Sequence, residues 1–119
     1  MKALLIEDDH IQAFAQARWL REAGFTVTHC ETGLSGLVKA VIEKFDVIVT
    51  DIDLPDIQGD KISKMINSFY DGEVPIFSLS ANPDNFPMQM TDDGIACRMP
   101  KPFNENLALS IRDFVERRI

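Results

Sequence analysis

The 119-residue chain has little cysteine, a deficit of positive charge and no long apolar run. Its two cysteines, Cys30 and Cys97, form neither a CxxC pair nor a metal-ligand spacing. Spare thiols of this kind suit a reducing compartment, so a cytoplasmic protein is expected. There are 12 basic residues against 19 acidic ones, a net charge of -7. A surface that grips nucleic-acid phosphates must be basic, so direct nucleic-acid binding is not expected. No apolar stretch approaches the ~20 residues of a membrane span. Met1 leads straight into a strand with no signal peptide, and no membrane contact is expected. The length suits one domain with one real core, read as residues 1–119.

What is present is alternation. ALLIE (3–7), FTVTHC (25–30), DVIVT (46–50), VPIFSLS (74–80) and IACRM (95–99) read as short strands. Between them run helical patterns. IQAFAQARWLREAG (11–24) stops at Gly24. Leu34, Leu37, Val38, Val41, Ile42 and Phe45 make one continuous helical face. Ile62, Met65, Ile66, Phe69 and Tyr70 repeat the stripe. Asn104 caps a last helix carrying Leu107, Ile111, Phe114 and Val115. Pro83 and Pro87 obstruct a long helix in 81–94, so a helix there starts near Pro87, runs about two turns and stops at Gly94. Apolar strands alternating with amphipathic helices imply an α/β fold with a parallel sheet covered on both faces.

In such sheets ligands sit beyond the carboxyl ends of the strands. There this chain places Glu7 and Asp8, then Asp51 and Asp53, then Ser80, then Lys101. Carboxylates brought together raise one another's pKa unless a cation intervenes. Hard oxygen ligands with room left for water favour Mg²⁺ over a calcium cage. A lysine and a hydroxyl beside them suit a phosphoryl group, and an aspartate can accept that group as an acyl phosphate.

LLIEDD, VIVTDIDLPDIQG, PIFSLSA and MPKPF, in this order and spacing, resemble the receiver domain of two-component response regulators. The resemblance covers essentially the whole chain. It implies a flavodoxin-like, doubly wound (βα)5 fold with strand order 2-1-3-4-5. It also implies a phosphoryl acceptor at Asp51, a metal ligand at Asp8 and an acid reaching the metal through water at Glu7. Asp53 would give its carbonyl to the metal, Ser80 the switch hydroxyl and Lys101 the phosphoryl partner. Gly59 would close the loop after the acceptor, and Lys101–Pro102 would be cis. The implied partners are a histidine kinase or histidine phosphotransfer protein and a downstream effector. The implied chemistry is self-phosphorylation and self-dephosphorylation, without turnover of an external substrate. One departure is Arg98, where the family usually carries Tyr or Phe three residues before the lysine.

Two other functions fit parts of the pattern. A degenerate receiver would bind partners without phosphorylation. A haloacid dehalogenase-type phosphatase also runs an apolar strand into DxD, but on its first strand. Asp9 reads as a helix cap, Asp56 as a turn residue, Asp92 and Asp93 as a solvated helix end, and His10 and His29 as surface or packed histidines. Cys30 and Cys97 fall on opposite edge strands, too far apart for a disulfide.

Overall fold

The structure, a computed structural model, describes residues 1–70, 74–81 and 96–118. Strands β1 (Lys2–Ile6), β2 (Thr26–Cys30), β3 (Val47–Asp51), β4 (Ile76–Ser80) and β5 (Ala96–Pro100) form one sheet. Helices α1 (His10–Glu22), α2 (Gly33–Ile42) and α3 (Gly59–Tyr70) fall between strands, and α4 (Glu105–Arg118) follows β5. All pairings are parallel, in the order β2-β1-β3-β4-β5. This is the implied flavodoxin-like order. Cys30 on β2 and Cys97 on β5 therefore stand at opposite edges, and Cys30 is a free thiol. The short helix expected near Pro87, with Asp92 and Asp93, lies outside the described residues.

Strand alternation divides the core. Ala3, Leu5, Val47, Val49, Phe77 and Leu79 point to one face, against residues of α1 and α4 such as Leu20 and Ile111. Leu4, Ile6, Ile48 and Ile76 point to the other, against Ala40, Ile62 and Ile66. Central strands buried on both faces read as unbroken apolar runs, which is why VIVT carries no polar alternation. Among the described residues no helix is long and apolar enough to cross a membrane.

Caps fix where the helices begin and end. Asp9 Oδ1 accepts from the backbone N–H of Ile11 at 2.9 Å and of Gln12 at 3.1 Å, so Asp9 is the expected cap. Asn104 does the same for Leu107 at 2.9 Å. Gly24, just past α1, takes φ 104°, a conformation that favours glycine. Asp56 does more than turn the chain. Its two carboxylate oxygens accept from the N–H groups of Gly33 and Leu34, each at 2.9 Å. These bonds hold its carboxyl below the usual carboxylate range, with Leu34 the larger cause. The loop after β3 is thereby fastened to the start of α2.

The α2 stripe marks a helix but not its buried side. Leu34, Val38, Val41 and Ile42 are exposed, whereas Gly33, Gly36 and Ala40 face inward. The reason is distance. A Cβ on Gly36 would stand 2.6 Å from Ile6 Cγ1, and Ile6 is fully buried. Only small residues let α2 approach β1 this closely, so most of its large ones turn outward; of the expected stripe, Leu37 is half-buried against the core and Phe45, past the helix, is buried. Gly36→Ala is expected to lower stability by ~1–3 kcal/mol through overpacking. The urea midpoint should fall with the slope unchanged. An unchanged midpoint would mean that α2 does not pack this closely.

Candidate functional site: an acidic rim with one lysine

Four strand ends and α1 build the rim. Glu7 directly follows β1 and is 1% exposed; Asp51 closes β3 and is 6% exposed. Asp8, next to Glu7, is exposed. Carboxylate oxygens of Glu7, Asp8 and Asp51 lie within 4.8 Å of one another. Lys101, just past β5, brings Nζ to 3.3 Å from Glu7 Oε1 and 3.2 Å from Asp51 Oδ1. The Lys101–Pro102 bond is cis, as implied. The Lys101 N–H donates to the Ser80 carbonyl at 2.8 Å, which joins the ends of β4 and β5. Ser80 is buried at the same edge, one residue beyond the Asp51–Leu79 register pair. Asp53 enters only through its backbone, whose N–H donates to Asp51 Oδ1 at 3.3 Å, while its own residue is exposed.

The charges leave a mark on protonation. Burial first, and then Asp51, push the Glu7 carboxyl up to about 7, although Gln16 and Lys101 pull the other way. Burial pulls the Lys101 ammonium down, but Glu7 and Asp51 outweigh it and hold it above its ordinary value. One ammonium thus serves two crowded carboxylates. A donor set of three close carboxylates, one held partly protonated by burial and then by Asp51, fits a hard divalent cation. Glu7, Asp8 and Asp51 are the residues that would hold Mg²⁺.

Sequence reading missed two members of the site. Gln12 Oε1 accepts from Lys101 Nζ at 2.8 Å, and Gln16 Nε2 donates to Glu7 Oε1 at 3.0 Å. They stand one turn apart on α1. Gln16 is 3% exposed, and among the described residues its Oε1 finds no hydrogen-bond partner. The signal was in the sequence: Ala13, Gln16, Ala17 and Leu20 form the buried stripe of α1, and an amide in an apolar stripe needs a reason. His29 is exposed, and its Nε2–H donates to the Glu7 carbonyl at 2.8 Å. His10 pairs with Glu31 at 3.3 Å on the surface.

A parallel sheet that gathers acids and one lysine at its carboxyl edge matches a known design. The model of the response regulator receiver domain family covers residues 3–111. The chain belongs to this family. This receiver domain is 38% identical to "Probable transcriptional regulatory protein SilR" of Salmonella typhimurium over 81 residues, 68% of this chain and 35% of that protein. It is 29% identical to "Transcription factor SKN7" of Candida albicans over 104 residues, 87% of this chain and 18% of that protein. The chain thus spans about a third or less of the length of these relatives. Among solved structures, the chemotaxis response regulator CheY4 of Vibrio cholerae is 27% identical with a TM-score of 0.79, covering 96% of this chain and 97% of that one. The receiver domain of sensor histidine kinase PA1611 of Pseudomonas aeruginosa PAO1 is 25% identical with a TM-score of 0.77, covering 98% and 94%. The dehalogenase-type alternative is not favoured, since its nucleophile belongs on the first strand and Asp51 ends the third.

Proposed function

We propose that this receiver domain, taken as residues 1–119, accepts a phosphoryl group from a phosphohistidine onto Asp51 and signals by a change of loop conformation. The observation that carries the reading is Asp51 itself. It is a nearly buried carboxylate at a strand end, 3.2 Å from Lys101 Nζ and clustered with Glu7 and Asp8. The donor is a histidine kinase or histidine phosphotransfer protein, and the acceptor works in the cytoplasm. The relatives include transcriptional regulatory proteins and "Sensor protein EvgS", so a downstream effector reads the result.

An Asp51 carboxylate oxygen attacks phosphorus, the P–N bond to the donor imidazole breaks, and the imidazole leaves with that electron pair and takes up a proton. Lys101 places its ammonium beside the Asp51 oxygen and stabilises the charge of the incoming group. Catalysis here is positioning plus charge, with little covalent work for other residues. The solved PA1611 receiver has a magnesium ion coordinated in its active site cleft. When bound to Glu7, Asp8, Asp51 and the Asp53 carbonyl, Mg²⁺ supplies the positive charge that lets carboxylate and phosphoryl oxygens approach. Water later attacks phosphorus, returning phosphate and the Asp51 carboxylate.

Ser80 is the hydroxyl that follows the phosphoryl group, and the loop after β3 shifts with it. Arg98, half-buried on β5, does not follow. A guanidinium is always charged, and carrying it from a half-buried strand position into the core costs several kcal/mol of desolvation. The ~1–3 kcal/mol typical of coupling between sites does not drive that move.

Intact mass after incubation with a small acyl-phosphate donor tests the proposal. One phosphoryl group should be gained with Mg²⁺ and far less with a chelator present. No gain under either condition would favour the degenerate receiver.

Gln16 gives a second test. Gln16→Leu is close in size and removes both the amide bond to Glu7 and the orphaned oxygen. Outer partners of metal ligands are commonly worth ~10–100-fold in metal affinity. Calorimetric Mg²⁺ affinity should fall in that range while the metal-free melt stays within a few degrees. Unaltered affinity would reduce Gln16 to packing.

A further inference from the structure

The outward face of α2 and α3 is the largest feature that the phosphoryl site does not use. Nine large apolar residues are exposed among those described, and six of them lie here: Leu34, Val38, Val41 and Ile42 on α2, Met65 and Phe69 on α3. Ile42 is 71% and Phe69 60% exposed. On α2 the four recur at i, i+4, i+7 and i+8; on α3 the two recur at i, i+4. Each set is a stripe with its own side open to solvent. The helices are packed neighbours. Between their C-terminal ends a cleft of about 470 Å³ is lined by Val41, Phe45, Phe69 and Tyr70, with two lysines, Lys2 and Lys44, and one acid, Asp46, among its lining. A patch of this kind marks an interaction site.

Charge says what kind of partner. The chain has six lysines, and five of them cluster here in sequence: Lys2 on β1, Lys39 on α2, Lys44 two residues past α2, and Lys61 and Lys64 on α3. Lys2 and Lys39 share one carboxylate, Glu43. Among the described residues no ion pair engages Lys44, Lys61 or Lys64. A chain of net charge -7 thus concentrates its ammonium groups around its largest apolar face.

We propose that the α2–α3 face docks an acidic amphipathic helix of a partner protein. Its apolar residues, at i, i+3 or i+4, and i+7, enter between Val38, Val41, Met65 and Phe69, and flanking Asp and Glu meet the lysines. A second copy of this chain is disfavoured, because face against face would set lysines on lysines. The surface stands apart from Asp51 and does not depend on its phosphorylation.

Selection from a displayed library of helical peptides against the whole chain tests this, followed by amide chemical-shift mapping and titration of the recovered peptides. Recovered sequences should be amphipathic and acidic, with shifts confined to α2 and α3. The triple variant Lys44→Glu, Lys61→Glu, Lys64→Glu should bind them about tenfold more weakly, three exposed pairs being lost together. Val38→Ser with Phe69→Ser should weaken binding as well. Both variants change exposed side chains and should melt like the parent. Recovery of basic peptides, shifts centred on α1 or α4, undiminished binding by the lysine variant, self-association through this face, or stronger binding to phosphatidylserine vesicles than to the peptides would each overturn the proposal.

Discussion

Asp51→Asn should take up no phosphoryl group under conditions that label the parent chain completely. The amide is isosteric but carries no carboxylate oxygen with which to form an acyl phosphate. No other acid at the rim is placed to substitute. Asp8 is exposed, and Glu7 is partly protonated near neutral pH, with its Oε1 engaged by both Lys101 and Gln16. The fold should survive the change. Asp51 is the second cause that pushes Glu7 up, so the variant's Glu7 should titrate lower than the parent's. Intact mass checks the labelling, and a thermal melt checks that the loss is chemical. Labelling equal to the parent would remove Asp51 from its role.

Asp8→Ala should separate binding from stability. Among the described residues no hydrogen bond or ion pair involves the Asp8 side chain, and the residue is exposed. Its close neighbours in the acidic cluster are Glu7 and Asp51, two further carboxylates. Removing it deletes repulsion from two acids, against which any attraction to Lys101, already shared by Glu7 and Asp51, is the smaller loss. The metal-free stability should therefore stay within about 0.5 kcal/mol of the parent, the usual range for exposed sites. Metal dependence should suffer far more. Outer partners of a metal site are worth ~10–100-fold, and a direct ligand no less. Labelling at limiting Mg²⁺ should fall at least that far and recover partly at high Mg²⁺. A large drop in metal-free stability would make Asp8 a structural partner instead.

The fold was legible because its signals are local. VIVT reads as a strand buried on both faces, and the register of β3 between β1 and β4 bears that out. Asp9 and Asn104 announced their helices through side-chain chemistry that acts within three residues. Glu7, Asp8, Asp51 and Lys101 could be placed together because a parallel sheet sends every strand end to one edge. What stayed hidden depends on the third dimension. The α2 pattern of Leu34, Val38, Val41 and Ile42 looks like a buried stripe, yet close approach at Gly36 turns it outward. Asp56 looked like a turn acid, and only the packing of the β3–α3 loop shows it capping α2. Gln16 needed the position of Glu7 on a neighbouring strand end before its amide had a purpose.

The most direct measurement of the central claim is chemical. The labelled chain is treated with borohydride, which reduces an acyl phosphate at the carboxyl carbon to an alcohol, and its peptides are sequenced by mass. Homoserine is expected at position 51, in the peptide carrying VIVTDIDLPD, with aspartate unchanged at 8 and 53. Homoserine at 8 or 53, or a label that resists borohydride and stays on a histidine or serine, would contradict it.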